Sequence, residues 1–144
     1  MWACFNEALN RADRRPANRA ATPSLVCVDS QGVKLAPRIF SHRGTDGGKH
    51  VNGRKRQIVT DVEGRIFACF VHAANGHDGT AAALGLLPKR PGWGQRLVTD
   101  NGYRGVFAAH PQALGLRREL ASRPPTARGF MPVAKRWMVE HTFA

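Results

Sequence analysis

Leu25-Val26-Cys27-Val28-Asp29 and Arg96-Leu97-Val98-Thr99-Asp100 decide how this chain is read. Each is a short, continuous apolar run that ends in a carboxylate. A surface helix shows its apolar residues at three- and four-residue steps, whereas a strand buried on both faces is apolar at almost every position. Both runs therefore predict buried strands with an Asp at the C-terminal edge.

Working outward, Arg54 to Asp61 and Arg65 to His72 read as two more strands. The link Val62-Glu63-Gly64 is short enough to join them as an antiparallel hairpin. Residues 30–53 hold many Gly, Lys and Arg with little periodicity, which predicts a long basic loop. Ala81 to Leu87 is helical by composition, with Asp78 or Thr80 as its cap, and Pro88 to Gly94 breaks it. Val106 to Leu114 predicts a helix interrupted by Pro111. Leu116 to Leu120 reads as a further strand, 123–125 as a Pro-rich loop, and Arg136 to Ala144 as the opening of a helix. At the front, Trp2, Phe5, Ala8, Leu9 and Ala12 keep helical spacing, so residues 1–15 predict a short amphipathic helix. Residues 16–24 are a connector. The fold class is α/β, a mixed sheet of about five strands flanked by helices. Asp29 and Asp100 stand where such sheets place their sites, at the C-terminal ends of strands.

At 144 residues, 42% of them hydrophobic, the chain is long enough for one domain with a core of its own. Lys and Arg number 22 against 10 Asp and Glu, a formal charge of +12. That excess points to a polyanionic partner, of which nucleic acid is the commonest, although a merely basic protein shares the signature. Cys4, Cys27 and Cys69 form no CxxC pair, which excludes a zinc knuckle or a disulfide framework. Cys27 and Cys69 lie in apolar runs and read as small core residues. The N-terminal segment is broken by Asn6, Glu7, Asn10 and Arg11, so it is no signal peptide, and no apolar run approaches a membrane span. A reducing, cytoplasmic setting fits.

With acids so scarce, their positions carry information. Asp29 and Asp100 project into one crevice if their strands are neighbours, and Glu140 on a late helix, with the face Arg136-Glu140-Ala144, closes it from the side. Like charges at close range raise one another's pKa, so three carboxylates need a counter-charge. A pair of Mg²⁺ or Mn²⁺ ions, hard cations that prefer oxygen ligands, supplies it. Two such ions roughly 4 Å apart can activate a water or a 3′-hydroxyl and stabilise the leaving oxygen of a phosphodiester. A plainer reading stands beside this one. Asp29-Ser30 and Asp100-Asn101-Gly102 are good turn formers, and Glu140 is at helical spacing from Arg136.

Four segments go further. Val28-Asp29-Ser30-Gln31-Gly32-Val33-Lys34 resembles the DSQSVK segment around the first catalytic aspartate of bacterial insertion-sequence transposases of the DDE class. Arg43-Gly44-Thr45-Asp46-Gly47-Gly48-Lys49, with Gly53-Arg54-Lys55-Arg56, is similar to that family's RGYDAGKKVKGRKRH stretch. Asp100-Asn101-Gly102-Tyr103-Arg104-Gly105 resembles its DGGYRG motif, and Arg136-Trp137-Met138-Val139-Glu140-His141-Thr142-Phe143 its RWVVERTF motif. The four keep the family's order and span residues 25–144. Thr45, His50, Asn52, Gln57 and Asn101 depart from the family's usual residues, none of them at a catalytic carboxylate.

The resemblance implies an RNase H-like catalytic core over residues 25–144, with 1–24 as the tail of an upstream region and a final helix that normally continues past Ala144. It implies Asp29 on the first strand, Asp100 on the fourth and Glu140 on the last helix, together holding two Mg²⁺ or Mn²⁺ ions. The activity implied is hydrolysis at transposon ends and strand transfer by the freed 3′-hydroxyl. Double-stranded DNA, both transposon ends and target, is the implied partner, in a homo-oligomer at the bacterial nucleoid. Lys34, Arg43, Lys49, Arg54, Lys55, Arg56, Arg104 and Arg136 are the basic residues expected to hold DNA, with Lys49 to Arg56 the densest patch and a solvated hairpin entrance its plainer reading. The alternative within the family is an inactive remnant that only binds DNA.

Other features lead elsewhere or nowhere. Gly44 to His50 fails as a phosphate-binding loop, because Arg43 stands in place of the first Gly and His50 in place of Ser or Thr. His72 and His77 have no Cys nearby and read as loop or surface residues. Trp93 and Trp137 read as packing residues, Trp137 backing the metal face from the core side.

Overall fold

The computed structural model describes residues 2–79, 87, 94–103, 106–121, 128 and 137–144. Along the chain the elements are α1 (Trp2–Arg14), β1 (Leu25–Lys34), β2 (Gly44–Asp46), β3 (Val51–Asp61), β4 (Ile66–Ala73), β5 (Arg96–Thr99), α2 (Val106–Ala113), β6 (Arg117–Leu120) and α3 (Trp137–Phe143). The sheet runs β2-β3-β1-β5-β6, with β4 also on β3. β1, β3 and β4 form an antiparallel meander, and β5 and β6 add on in parallel to β1. This is the RNase H-like mixed sheet that the resemblance implies. No helix among the described residues is long and apolar enough to cross a membrane.

β1 is buried on both faces through Ser30, as its unbroken apolar run requires. Val26, Val28, Val59, Leu97, Tyr103, Phe107 and Leu116 form the core on one face. Leu25, Cys27, Ile58 and Val98 meet Val139 of α3 on the other. α2 contains Pro111 and still forms over Val106–Ala113, although proline there has no N–H to donate to the Phe107 carbonyl. Gly115, at φ +73, then closes the helix in the left-handed conformation that suits glycine.

Three expectations need correction. Residues 30–53 are not one long loop: β1 continues to Lys34, β2 occupies Gly44–Asp46, and β3 begins at Val51. Here the ladder, with Val33 opposite Arg54 and Lys34 opposite Gly53, overrides a composition that shows no period. Cys69 is exposed rather than a core residue, because β4 is an outer strand whose side chains are mostly accessible. α1 forms where expected but is turned over. Trp2, Phe5 and Leu9 are 80%, 54% and 52% exposed, while Asn10 and Arg14 are buried. Polar anchoring sets this orientation: the Asn6 and Asn10 amides both donate to the Ile66 carbonyl, and Arg14 pairs with buried Asp61. Of the helix expected over Ala81 to Leu87, only Leu87 lies among the described residues, and it is buried. The Pro-rich loop at 123–125 lies outside them.

Candidate active site

The parallel register of β1 on β5 ends at Cys27 opposite Val98. Asp29 stands two residues further along β1, and Asp100 two residues beyond Val98, just past the end of β5. β5 is the fourth strand once the three-residue β2 is set aside. Alternation puts Asp29 on the face of Leu25 and Cys27, the face that α3 covers. Val139 packs there against Cys27 and Val98, and Glu140 is the next residue, on the exposed side of the helix. Arg56 fastens the far end of α3. Its Nη2 donates to the Phe143 carbonyl at 3.0 Å, its guanidinium lies 5.1 Å from the Phe143 ring centroid, and its Nε donates to Gln31 at 2.9 Å.

Both aspartates are oriented by adjacent backbone. Asp29 is 7% exposed, and its Oδ1 accepts from the Ser30 N–H at 2.8 Å. Asp100 Oδ1 accepts from the Gly102 N–H at 2.8 Å. A Cβ at position 102 would stand 3.0 Å from Asp100 Oδ1 and 3.2 Å from Asp78 Oδ2, so a larger residue there would have to shift those carboxylates slightly. The carboxylates of Asp100 and Asp78 thus reach the same point from two sides. Arg118 of β6 braces the turn at both ends, with Nε donating to Thr99 Oγ1 at 3.1 Å and Nη2 to the Tyr103 carbonyl at 2.5 Å.

Tyr103 is fully buried and its hydroxyl has no hydrogen-bond partner among the described residues. Burial pushes its phenol far above the ordinary value, and Asp78, Asp29 and Asp100 push it further. Ser30 acts weakly the other way; it lies near the phenol, but the pair does not reach hydrogen-bonding geometry.

Asp29 lies on the face of the sheet that α3 covers, and Glu140 follows Val139 on that helix. Among the described residues no three His, Cys, Asp or Glu side chains stand close enough to hold a metal ion. Asp29 and Asp100 each accept instead from an adjacent backbone N–H, that of Ser30 and that of Gly102. The donor set itself, carboxylate oxygens beside a buried phenol, fits a hard divalent cation.

The expected DNA-binding residues separate into three groups. Lys34 and Lys49 are exposed and make no ion pair among the described residues. Arg43 and Arg54 brace the 35–43 loop: Arg43 donates to the carbonyls of Leu35 and Pro37 and to Asn52, Arg54 to Ser41. Lys55 and Arg56 turn to opposite faces of β3, Arg56 half-buried and held by Gln31 and the Phe143 carbonyl, Lys55 turned inward. Lys55 is 5% exposed and pairs with Asp46 at 3.2 Å and Asp78 at 3.0 Å, so it is not presented to a phosphate. Strand alternation explains this, because a run of three basic residues on a strand cannot keep every side chain outside. Arg104 and Arg136 lie outside the described residues. Trp137 is 49% exposed, edge-on to His141, so Val139 and not Trp137 anchors the helix to the core. His72 sits within β4, hydrogen-bonded to Gln57, rather than in a loop.

Sequence reasoning missed Asp78, Tyr103 and Arg118. Asp78 read as a helix cap, yet the hairpin offered a signal. β4 returns antiparallel along β3, so residues just past Ala73 come back beside Arg54 and the far end of β1.

The mixed sheet is RNase H-like, with Asp29 midway along β1, because that strand runs on to Lys34 instead of ending at the carboxylate, and Asp100 just past the end of β5. The family profile described as Transposase DDE domain matches residues 20–144, and the chain belongs to that family. No curated protein and no solved structure matches it.

Proposed function

We propose that this chain cuts DNA at transposon ends and joins the freed 3′-hydroxyl to a target, with Asp29, Asp100 and Glu140 holding two Mg²⁺ or Mn²⁺ ions. The family ties the chain to DNA transposition and to a DNA partner. One observation supports the finer reading: β1 and β5 run parallel with Cys27 opposite Val98, two residues short of Asp29 and of Asp100. Bound divalent cations supply the positive charge that activates the attacking hydroxyl and steadies the leaving oxygen. The residues do the rest. Asp29 and Asp100 are fixed by the Ser30 and Gly102 amides, Glu140 rides on a helix seated by Val139 and Arg56, and exposed Lys34 and Lys49 hold phosphates. Arg43, Arg54, Arg104 and Arg136 complete the basic surface. Residues 25–144 form the catalytic core, and 1–24 lead into it. The chain works as a homo-oligomer on DNA at the bacterial nucleoid.

The test is Mg²⁺- or Mn²⁺-dependent nicking of labelled DNA carrying the element's ends, with wild type beside Asp100→Asn. Metal-dependent cleavage that falls by about 10³-fold or more in the variant supports the reading, as the loss of several kcal/mol of charge stabilisation requires. If both proteins bind the DNA and neither cuts it, the chain is a DNA-binding remnant of the family.

A further inference from the structure

Lys55 and Asp78 are buried or half-buried charges for which the proposed reaction has no stated use. Lys55 has three N–H donors, and its partners are Asp46 Oδ2 at 3.2 Å, Asp78 Oδ1 at 3.0 Å and the Gly76 carbonyl at 2.9 Å. Asp78 Oδ1 also accepts the Ser30 hydroxyl at 2.8 Å. Its second oxygen lies 3.2 Å from where a Cβ on Gly102 would stand, and Asp100 Oδ1 lies 3.0 Å from that same point. One side chain therefore touches β3 through Lys55 and β1 at the residue after Asp29, and abuts the turn that holds Asp100. Tyr103 supplies an independent sign that this spot is built for a further occupant. Its hydroxyl is fully buried with no hydrogen-bond partner among the described residues, and Asp78, Asp29 and Asp100 all act on it. A buried hydroxyl left without a partner costs free energy, which a bound water or a hydrated cation recovers.

We infer that Asp78 is a positioning residue of the catalytic centre, locking the Asp29 segment and the Asp100 turn to buried Lys55. This rests on the reading of Asp29 and Asp100 as cation ligands. The chemistry follows from geometry. Oδ1 is held by two donors from two strands, so Asp78 has little freedom to rotate. Its negative charge beside Asp100 raises the local demand for a cation, and Lys55 keeps the cluster folded until one arrives. A carboxylate serving only to anchor the 74–79 segment would affect folding and leave the affinity of the folded protein for cations unchanged.

Mn²⁺ binding, followed by the loss of the free-ion electron paramagnetic resonance signal, separates the two roles without any need for turnover. Wild type, Asp78→Asn, Ser30→Ala and Asp100→Asn are titrated, each first shown to be folded by its melting curve. Asp78→Asn is expected to weaken Mn²⁺ binding by about tenfold or more, the usual effect of removing a group that orients a metal ligand. Ser30→Ala is expected to weaken it in the same direction and by less. Asp78→Asn binding Mn²⁺ as tightly as wild type, while Asp100→Asn does not, overturns the role of Asp78 and leaves the cation reading intact. No Mn²⁺ binding by wild type overturns both. Should Asp78→Asn fail to fold, Ser30→Ala decides, and unchanged affinity in that variant overturns the proposal.

Discussion

β3 carries a buried charge near each end, and the two are treated in opposite ways. At Asp61 the carboxylate is fully buried and saturated. Oδ1 accepts the N–H groups of Glu63 and Arg65 at 2.9 and 3.1 Å, and Oδ2 pairs with Arg14 and Arg65. Asp13, Glu63 and Arg19 extend the set by ion pairs, so three acids meet three guanidiniums. At Lys55, six residues and about 20 Å along the strand, one ammonium is shared between Asp46 and Asp78, and Asp78 abuts Asp100. The first end is closed electrostatically and contributes to stability. The second sets several carboxylates around a single ammonium, an arrangement that leaves negative charge in excess.

The contrast breaks most sharply at Asp61. Asp61→Ala leaves Arg14, 4% exposed, with its guanidinium buried and its main partner gone. Removing one partner of a buried pair costs about 3–5 kcal/mol, so the denaturant midpoint should fall steeply while α1 loses its anchor. Asp29→Asn is the counterpart at the other end. Relieving repulsion there should leave stability within about 1 kcal/mol of wild type. A large loss in Asp29→Asn, or a small one in Asp61→Ala, contradicts the division between the two ends.

Much of this was legible beforehand, for a physical reason. Burial on both faces writes a continuous apolar run, and a carboxylate ending such a run is conspicuous where only 10 acids occur in 144 residues. Asp29 and Asp100 stood out for that reason. The 30–53 segment was illegible because its strands are held by backbone pairing and carry polar side chains on both faces. Lys55 looked like Lys49, since sequence shows a basic run and only the strand's alternation says which residue turns inward. α1 misled in the same way: its apolar spacing is regular, but Asn6, Asn10 and Arg14 find partners on β4 and β3, and those contacts choose the face.

Arg118 offers a sharper cut at the site end. It holds Thr99 and Tyr103 on either side of Asp100 without itself being a carboxylate. Arg118→Ala should cost about 1–3 kcal/mol by freeing a carbonyl and a hydroxyl that were hydrogen-bonded by a charged donor. It should also loosen Asp100, read as weaker Mn²⁺ binding with Asp29 untouched. A variant with wild-type affinity and stability would show that Gly102 alone sets the turn.

The smallest effect expected is at Asp46, which joins the two behaviours in one residue. Its carboxyl is held below the ordinary 3.8, first by the Lys49 backbone N–H, with burial opposing and Lys55 and the Gly48 N–H assisting. Gly48 and Lys49 both donate to Oδ1 at 3.0 Å. A depressed value in the folded state means that the folded protein favours the ionised form. Asp46 therefore contributes stability above the unfolded carboxylate pKa, and that contribution is lost as pH falls through the lower, folded value. Denaturation of wild type and Asp46→Asn at pH 7 should show wild type ahead, and the gap should close on acidification below 3.8. A gap that stays constant across that range would mean that Asp46 stabilises through the shape of its turn and not through its charge, and Lys55 would then depend on Asp78 alone.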